Sequence, residues 1–356
     1  MSTNPRVKHS VAAMCGYAPG EQLRRPGLVK LNTNENPYPP SPAVTAALHS
    51  FTADDLRRYP DPVCTELRAL IAGRHAVAPE QVFVGNGSDE ILALATRAFV
   101  EDDGQIGFLE PSYSLYPVLA AIRGVSAVMV ELDPVFDVRL PETCTASLFL
   151  LANPNAPTGR ICPVEAVAAF AKSFAGVLLV DEAYADFASD NAMRLAASCP
   201  NVLVMRTLSK SYSLAGLRLG YVVGPADLIA AFYTIKDSYN VDLIAQRVAV
   251  AALRDEPCMR ANVARVQATR VRLAARLAAL DYDVTPSESN FLWVRPPAHF
   301  PAREVYARLK AQDILVRYFA GLRTGAHLRI TVGTDQEVDR LLTALQALNG
   351  AAGEKQ

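Results

Sequence analysis

The sequence predicts an α/β fold: a mostly parallel central sheet covered by helices, joined to a smaller α+β domain. Three observations predict it. Short, nearly uninterrupted apolar runs recur at 82–84, 106–109, 127–130, 148–151, 177–180 and 201–206, without the alternation of a half-solvated strand. Helical segments separate most of them, which is the spacing that parallel strands and their crossovers need. Beyond about Asp237 the pattern changes to a long alanine- and arginine-rich helical tract followed by short alternating segments. With 356 residues, half of them hydrophobic, the chain can bury one large core and a smaller one.

From the N-terminus, residues 1–42 read as an irregular arm expected to pack with the C-terminal domain. Its run from Leu31 to Pro40 sets Asn32, Thr33, Asn34, Glu35 and Asn36 before prolines, the composition of a loop that lines something. Residues 43–237 read as the large domain. Helices are expected over 42–49 and 65–75, then the strand at 82–84 runs through Gly85-Asn86-Gly87-Ser88-Asp89-Glu90 into an amphipathic helix with Ile91, Leu92, Ala95 and Phe99 inward. Strand, glycine turn and helix N-terminus can hold an anion: Gly87 permits close backbone approach, and the first N–H groups face the ligand. A plain capped helix is the alternative reading of that turn alone. Residues 238–356 read as the small domain, with helices over 244–280 (interrupted near Pro257), 303–312 and 336–348, and strands at 290–294, 314–316 and 327–332.

Composition excludes several functions. The net charge is −1 and no basic stripe appears, so a nucleic acid partner is not expected. No stretch approaches 18 uncharged apolar residues, and the first ten residues lack an apolar signal run, so neither membrane nor export is expected. The six cysteines show no metal-ligand spacing and read as buried thiols in a reducing, cytoplasmic setting.

In sheets of this kind ligands bind beyond the carboxyl ends of the strands, which brings together Glu110 to Tyr113, Asn153 to Gly159, Asp181 to Tyr184 and Thr207 to Lys210. Lys210 sits in a turn between two core strands, where loss of solvation favours the free, nucleophilic amine that forms a Schiff base with an aldehyde. An exposed loop lysine is the alternative. Asp181 ends an apolar strand, as a cap or as a placed charge that keeps a pyridine nitrogen protonated. Arg218 can clamp a phosphate, with the Thr207 and Ser209 hydroxyls and the amides from Gly87 through Ser88 to Asp89 completing a cup. Tyr113 offers an aromatic face on which a ring can stack. Together these describe a pyridoxal 5′-phosphate site.

Here the chain resembles the fold-type I pyridoxal-phosphate aminotransferases, most closely the histidinol-phosphate branch of that family. The resemblance spans nearly the whole chain through Asn34-Glu35-Asn36-Pro37, Arg58-Tyr59-Pro60, Gly87-Ser88-Asp89-Glu90, Pro111-Ser112-Tyr113, Asn153-Pro154-Asn155, Pro157-Thr158-Gly159, Asp181-Glu182-Ala183-Tyr184, Ser209-Lys210, Ala215-Gly216-Leu217-Arg218 and Leu328 to Gly333. It implies transfer of an amino group from L-histidinol phosphate to 2-oxoglutarate. Another amino donor, or a related decarboxylation, is the alternative. It also implies that Lys210 carries the cofactor and shuttles the proton, that Asp181 pairs with the ring nitrogen, and that Tyr184 bonds the ring oxygen. Arg329 binds the substrate carboxylate, Tyr17 touches its distal end and Asn36 is a further substrate contact. Tyr59 reaches the cofactor of a neighbouring subunit, which makes the active unit a homodimer. Arg317 or Arg323 is expected at the distal anionic end. One position departs from the family: the residue before Pro157-Thr158-Gly159 is usually an asparagine that bonds the ring oxygen, and here it is Ala156. Asn153 or Asn155 then shifts to serve, water fills the gap, or Tyr184 alone supports that oxygen.

Overall fold

The structure, a computed structural model, describes residues 6–23 and 25–353; residues 1–5 of the expected arm lie outside the described residues. The arm contributes α1 (His9–Ala13) and β1 (Val29–Lys30), and the helices α2 (Pro42–His49) and α3 (Thr65–His75) follow. Ser41 sets the start of α2, its hydroxyl accepting the Ala43 N–H while Pro42 occupies the first turn. Next come β2 (Val82–Gly85), α4 (Ser88–Phe99), β3 (Gln105–Glu110), α5 (Leu115–Arg123), β4 (Ser126–Glu131), β5 (Leu148–Ala152), α6 (Val164–Ser173), β6 (Val177–Asp181), α7 (Met193–Ser198), β7 (Val202–Thr207), β8 (Gly220–Val223) and α8 (Ala226–Ile235). The last third holds α9 (Leu243–Arg254), α10 (Glu256–Ala278), β9 (Asp283–Thr285), β10 (Phe291–Arg295), α11 (Ala302–Ala311), β11 (Ile314–Leu315), β12 (Arg317–Tyr318), β13 (Leu328–Thr331) and α12 (Asp335–Gly353).

Seven strands form the large sheet in the order β2-β8-β7-β6-β5-β3-β4. Every neighbouring pair is parallel except those of β8, which runs against both β2 and β7. Consequently β2, β3, β5, β6 and β7 end on one edge, and the loops after them emerge together. Strands β5 to β8 are buried along almost their whole length, which is why they read as continuous apolar runs. β4 is different: it is an outer strand with β3 as its one neighbour, and Met129 on it is exposed.

A second, antiparallel sheet follows the order β12-β13-β10-β9, and β1 of the arm pairs in parallel with β11, Val29 opposite Ile314. The Leu31 N–H then donates to the Leu315 carbonyl and the Thr331 N–H to the Leu31 carbonyl, so the arm is stitched to this layer by backbone bonds. The change of sequence pattern near Asp237 is not where the cores divide. Ala245, Val248, Leu253, Val263 and Val266 are buried in the core of the large sheet, and the core of the second sheet takes over at Leu273, partway along α10. The break expected near Pro257 is real, because the Asp255 side chain caps α10 and Pro257 falls in its first turn, where its missing N–H costs nothing. Among the described residues no helix is long and apolar enough to cross a membrane, and no group of side chains could hold a metal ion.

Candidate active site

A cavity of about 210 Å³ opens at the carboxyl edge of the large sheet, against the arm and the second sheet. Lys210, Asp181, Tyr184, Ser88, Asp89, Tyr113, Thr207, Ser209, Arg218, Arg317, Arg329 and Tyr17 all line it. They come from four strand ends, one helix start, the arm and the second sheet.

Asp181, at the end of β6, is almost fully buried. Burial pushes its carboxyl up to about 6, against the donors that hold it ionised: the Tyr116 hydroxyl at 3.0 Å and the Ala183 N–H at 3.1 Å. Lys210 lies past β7, its Nζ donating to the Thr33 carbonyl at 3.3 Å and standing 5.8 Å from the Tyr184 ring centre. The turn carrying it is tied from behind. Asn36 donates to the carbonyls of Lys210 and Ser211, each at 3.2 Å, and the Ser211 hydroxyl donates to Asp186.

Beneath this turn lies a buried ionic cluster. Arg206 bonds Glu182 through Nε at 2.9 Å and Asp186 through an Nη at 2.9 Å, and the Glu182 side chain has no exposure at all. Burial by itself would weaken the Arg206 guanidinium, yet the two carboxylates outweigh it and hold its proton more tightly. Glu182 and Arg206 flank Asp181 and Thr207 in sequence, so strand alternation sends one residue of each pair to the cavity and the other to the cluster.

At the start of α4, Asp89 receives the Tyr113 hydroxyl at 3.2 Å on one oxygen and an Arg218 Nη at 3.2 Å on the other. Gly87 takes φ of +82°, and a Cβ there would come within 2.8 Å of the Arg218 guanidinium, so the close approach requires glycine. Thr207 Oγ1 accepts the Ser209 N–H at 3.2 Å and lies 3.0 Å from Ser209 Oγ. Across the cavity the partly buried Arg329 lies against the Phe291 and Phe319 rings, 5.3 and 5.4 Å from their centres. Burial pulls its proton affinity down, one Nη donates to the Asn32 carbonyl at 3.1 Å, and its Nε has no partner. Arg317 stands beside it, its Nη groups donating to the Pro19 and Ala18 carbonyls at 3.1 and 2.8 Å. Tyr17 closes the edge, packed edge-on against Tyr113 at 5.8 Å between ring centres.

Several expectations need correction. Asn36 does not line the cavity, since its amide is spent on the Lys210 turn and on the Tyr38 N–H; Thr33, Asn34 and Glu35 take its place. Arg323 is not a lining residue either: it donates to the carbonyls of Glu110 and Asp133. Tyr59, expected to reach a neighbouring subunit's cofactor rather than its own, needs no such correction: it stands outside this chain's cavity, 80% exposed and stacked on Tyr239 at 4.3 Å. Ala156 is in the wall, but neither nearby asparagine can stand in for it. Asn153 is bonded to both backbone groups of Cys162, and Asn155 to Pro111, Thr158 and Ser112. Sequence reasoning missed Asn34, whose side chain reaches Tyr184, and Tyr116, whose fully buried hydroxyl is the donor to Asp181. A buried polar run in the arm was the one signal for the first; nothing local pointed to the second.

The family model for aminotransferase class I and II matches residues 26–345, nearly the whole chain and every cavity-lining residue except Tyr17 and Gly20. The chain belongs to the class I and II aminotransferases. It is 46% identical over 344 residues to histidinol-phosphate aminotransferase 2 of Thiobacillus denitrificans, covering 95% of this chain and 96% of that one. Identity is 41% to the histidinol-phosphate aminotransferase of Synechocystis, over 99% of this chain and all of the relative. Among solved structures, histidinol-phosphate aminotransferase from Sinorhizobium meliloti, in complex with pyridoxal-5′-phosphate, superimposes with a TM-score of 0.88 at 27% identity, over 98% of each chain. For this aminotransferase the lining lysine, carboxylate and arginines therefore sit in a fold already known to move amino groups.

Proposed function

We propose that this aminotransferase carries the amino group of L-histidinol phosphate to 2-oxoglutarate, with pyridoxal 5′-phosphate as cofactor, acting as a cytoplasmic homodimer. The observation that carries the reading is a pair of cationic poles in the one cavity that Lys210 also lines. One is Arg218 with the start of α4; the other is Arg329 with Arg317. A cofactor with one phosphate and a substrate with an anionic end each need one such pole, and the full-length likeness to histidinol-phosphate aminotransferases favours a phosphate on that substrate.

The cavity residues fit the cofactor. At the start of α4 a Cβ at Gly87 would meet the Arg218 guanidinium, so glycine lets a cation stand against the first helix amides, a place for a phosphate. The unpartnered, buried Nε of Arg329 is left for the anionic end of the substrate. The backbone N–H groups of Ser88 and Asp89, the Thr207 and Ser209 hydroxyls and the Arg218 guanidinium would hold the phosphate, and Tyr113 would lie against the ring. When bound, the cofactor supplies an aldehyde carbon that amines attack and a pyridine ring that accepts the electrons of a broken Cα–H bond. Asp181 would stand at the ring nitrogen, where a cation would offset the burial that pushes its carboxyl up. Tyr184 would donate its hydroxyl to the ring oxygen. Lys210 Nζ, close enough to the arm to bond Thr33, would take the proton from the substrate α-carbon. Arg329 and Arg317 would bind the anionic end of either substrate, and Tyr17 would shield the reacting centre from water. The exposed Tyr59–Tyr239 stack is available to a second copy of the chain.

Single-turnover bleaching of the bound cofactor tests the substrate. Rapid bleaching by histidinol phosphate, with glutamate formed on addition of 2-oxoglutarate and no carbon dioxide released, is the expected result. Indifference to histidinol phosphate would sink the assignment. For the chemistry, Lys210→Ala should lose the yellow band, and a variant that kept both colour and turnover would overturn the mechanism.

A further inference from the structure

We infer that Asn34 is a positioning residue for this reaction: its amide fixes the Tyr184 hydroxyl as a hydrogen-bond donor into the cavity. The inference rests on the role proposed for Tyr184 above. It follows from counting protons along four groups, from the buried Asn34 N–H and Thr331 hydroxyl through the Asn34 amide to the partly buried Tyr184 hydroxyl.

Thr331 Oγ1 has one proton to give. It accepts the Asn34 backbone N–H at 3.0 Å, and its own proton goes to Asn34 Oδ1 at 3.1 Å. With Oδ1 occupied in that way, the amide presents its N–H to Tyr184, Nδ2 to Oη at 2.9 Å. Tyr184 is thereby the acceptor in this contact. Its own proton is left to point elsewhere, and both residues line the cavity.

The device is rigid. Asn34 is 1% exposed and Thr331 2%, and the Asn34 carbonyl accepts from Asn290 Nδ2 at 3.0 Å. The Asn34 backbone lies at φ of +56°, a left-handed conformation that asparagine tolerates better than other side-chain-bearing residues. One residue type therefore satisfies both the turn and the proton chain. The setting makes the direction of that hydroxyl matter. Ala156 offers a methyl group to the cavity, and the amides of Asn153 and Asn155 are committed inside their own loop. Tyr184 is left to serve the ring oxygen, and Asn34 decides which way it donates.

The test is a double-mutant cycle of Asn34→Asp and Tyr184→Phe. Asn34→Asp keeps the shape and the left-handed turn, but gives Tyr184 a carboxylate oxygen and draws its proton away from the cavity. Three quantities are measured in the reconstituted enzyme: the Kd for pyridoxal 5′-phosphate, the pH midpoint of the visible band, and kcat with KM. Asn34→Asp should lower kcat about tenfold or more, the scale of one charge-assisted hydrogen bond. KM should stay nearly constant, and the band midpoint should move in the same direction as in Tyr184→Phe. In the Tyr184→Phe background the same substitution should change Kd, kcat and midpoint by less than about twofold. Equal losses in both backgrounds would make Asn34 a structural residue only and overturn the inference. Asn34→Gly, which keeps the backbone conformation and deletes the amide, repeats the cycle should the aspartate variant fail to fold. A wild-type chain that took up no pyridoxal 5′-phosphate would instead overturn the parent reading and this one with it.

Discussion

Replacing Asp181 by asparagine should stabilise the cofactor-free protein while weakening its hold on the cofactor. The carboxyl is pushed from an ordinary 3.8 to about 6, chiefly by burial, with Tyr116 and the Ala183 N–H opposing the shift. In the unfolded chain the group ionises near 3.8, so between pH 4 and 6 the folded state binds the extra proton. Native stability is therefore lost as pH rises through that window. Two pH units at about 1.4 kcal/mol each put the loss at about 3 kcal/mol once pH exceeds the folded value. The asparagine amide cannot be charged, so urea denaturation of the stripped Asp181→Asn protein should show a gain of up to about 3 kcal/mol at pH 8 that fades toward pH 4. The loaded protein should behave in the opposite sense, because a neutral amide cannot hold a proton on the ring nitrogen. A pH-independent effect on the stripped variant, or tighter binding of pyridoxal 5′-phosphate, would refute the reasoning.

Arg206→Met strands the buried Glu182 carboxylate and should cost about 3–5 kcal/mol at pH 8 in denaturant titration. Adding Glu182→Gln, which still accepts the Ala192 N–H, should recover at least half of that. Gly87→Ala should cost about 1–2 kcal/mol for a side chain at positive φ, with a loss of cofactor affinity of about tenfold as Arg218 is displaced; reconstitution titrations read the second effect.

The sequence by itself determined the local elements and the chemistry of the strand ends. The ranges expected for α2 and α3 coincide with those observed, and five of the six apolar runs became the buried strands β2, β3, β5, β6 and β7 while the sixth became the outer, half-exposed β4, because caps and apolar period are properties of a few neighbouring residues and a strand's place in the sheet is not. Lys210, Asp181, Tyr184 and Tyr113 were legible for the same reason: each ends or follows a strand, and parallel strands deliver their ends to one edge; Arg218 precedes the antiparallel β8, whose start meets that same edge. Only the tertiary structure decided which residues meet across long separations. Thr331 and Asn34 are 297 residues apart in sequence and share two hydrogen bonds. Within Asn34-Glu35-Asn36 the first asparagine lines the cavity and the third braces the Lys210 turn from outside it, a difference set by one left-handed backbone angle. The division of the cores within α10 was equally out of reach, since one continuous helix serves both sheets and its sequence carries no break where the packing partner changes. Local chemistry names the groups; the direction in which a turn sends each of them depends on what the rest of the chain packs against it.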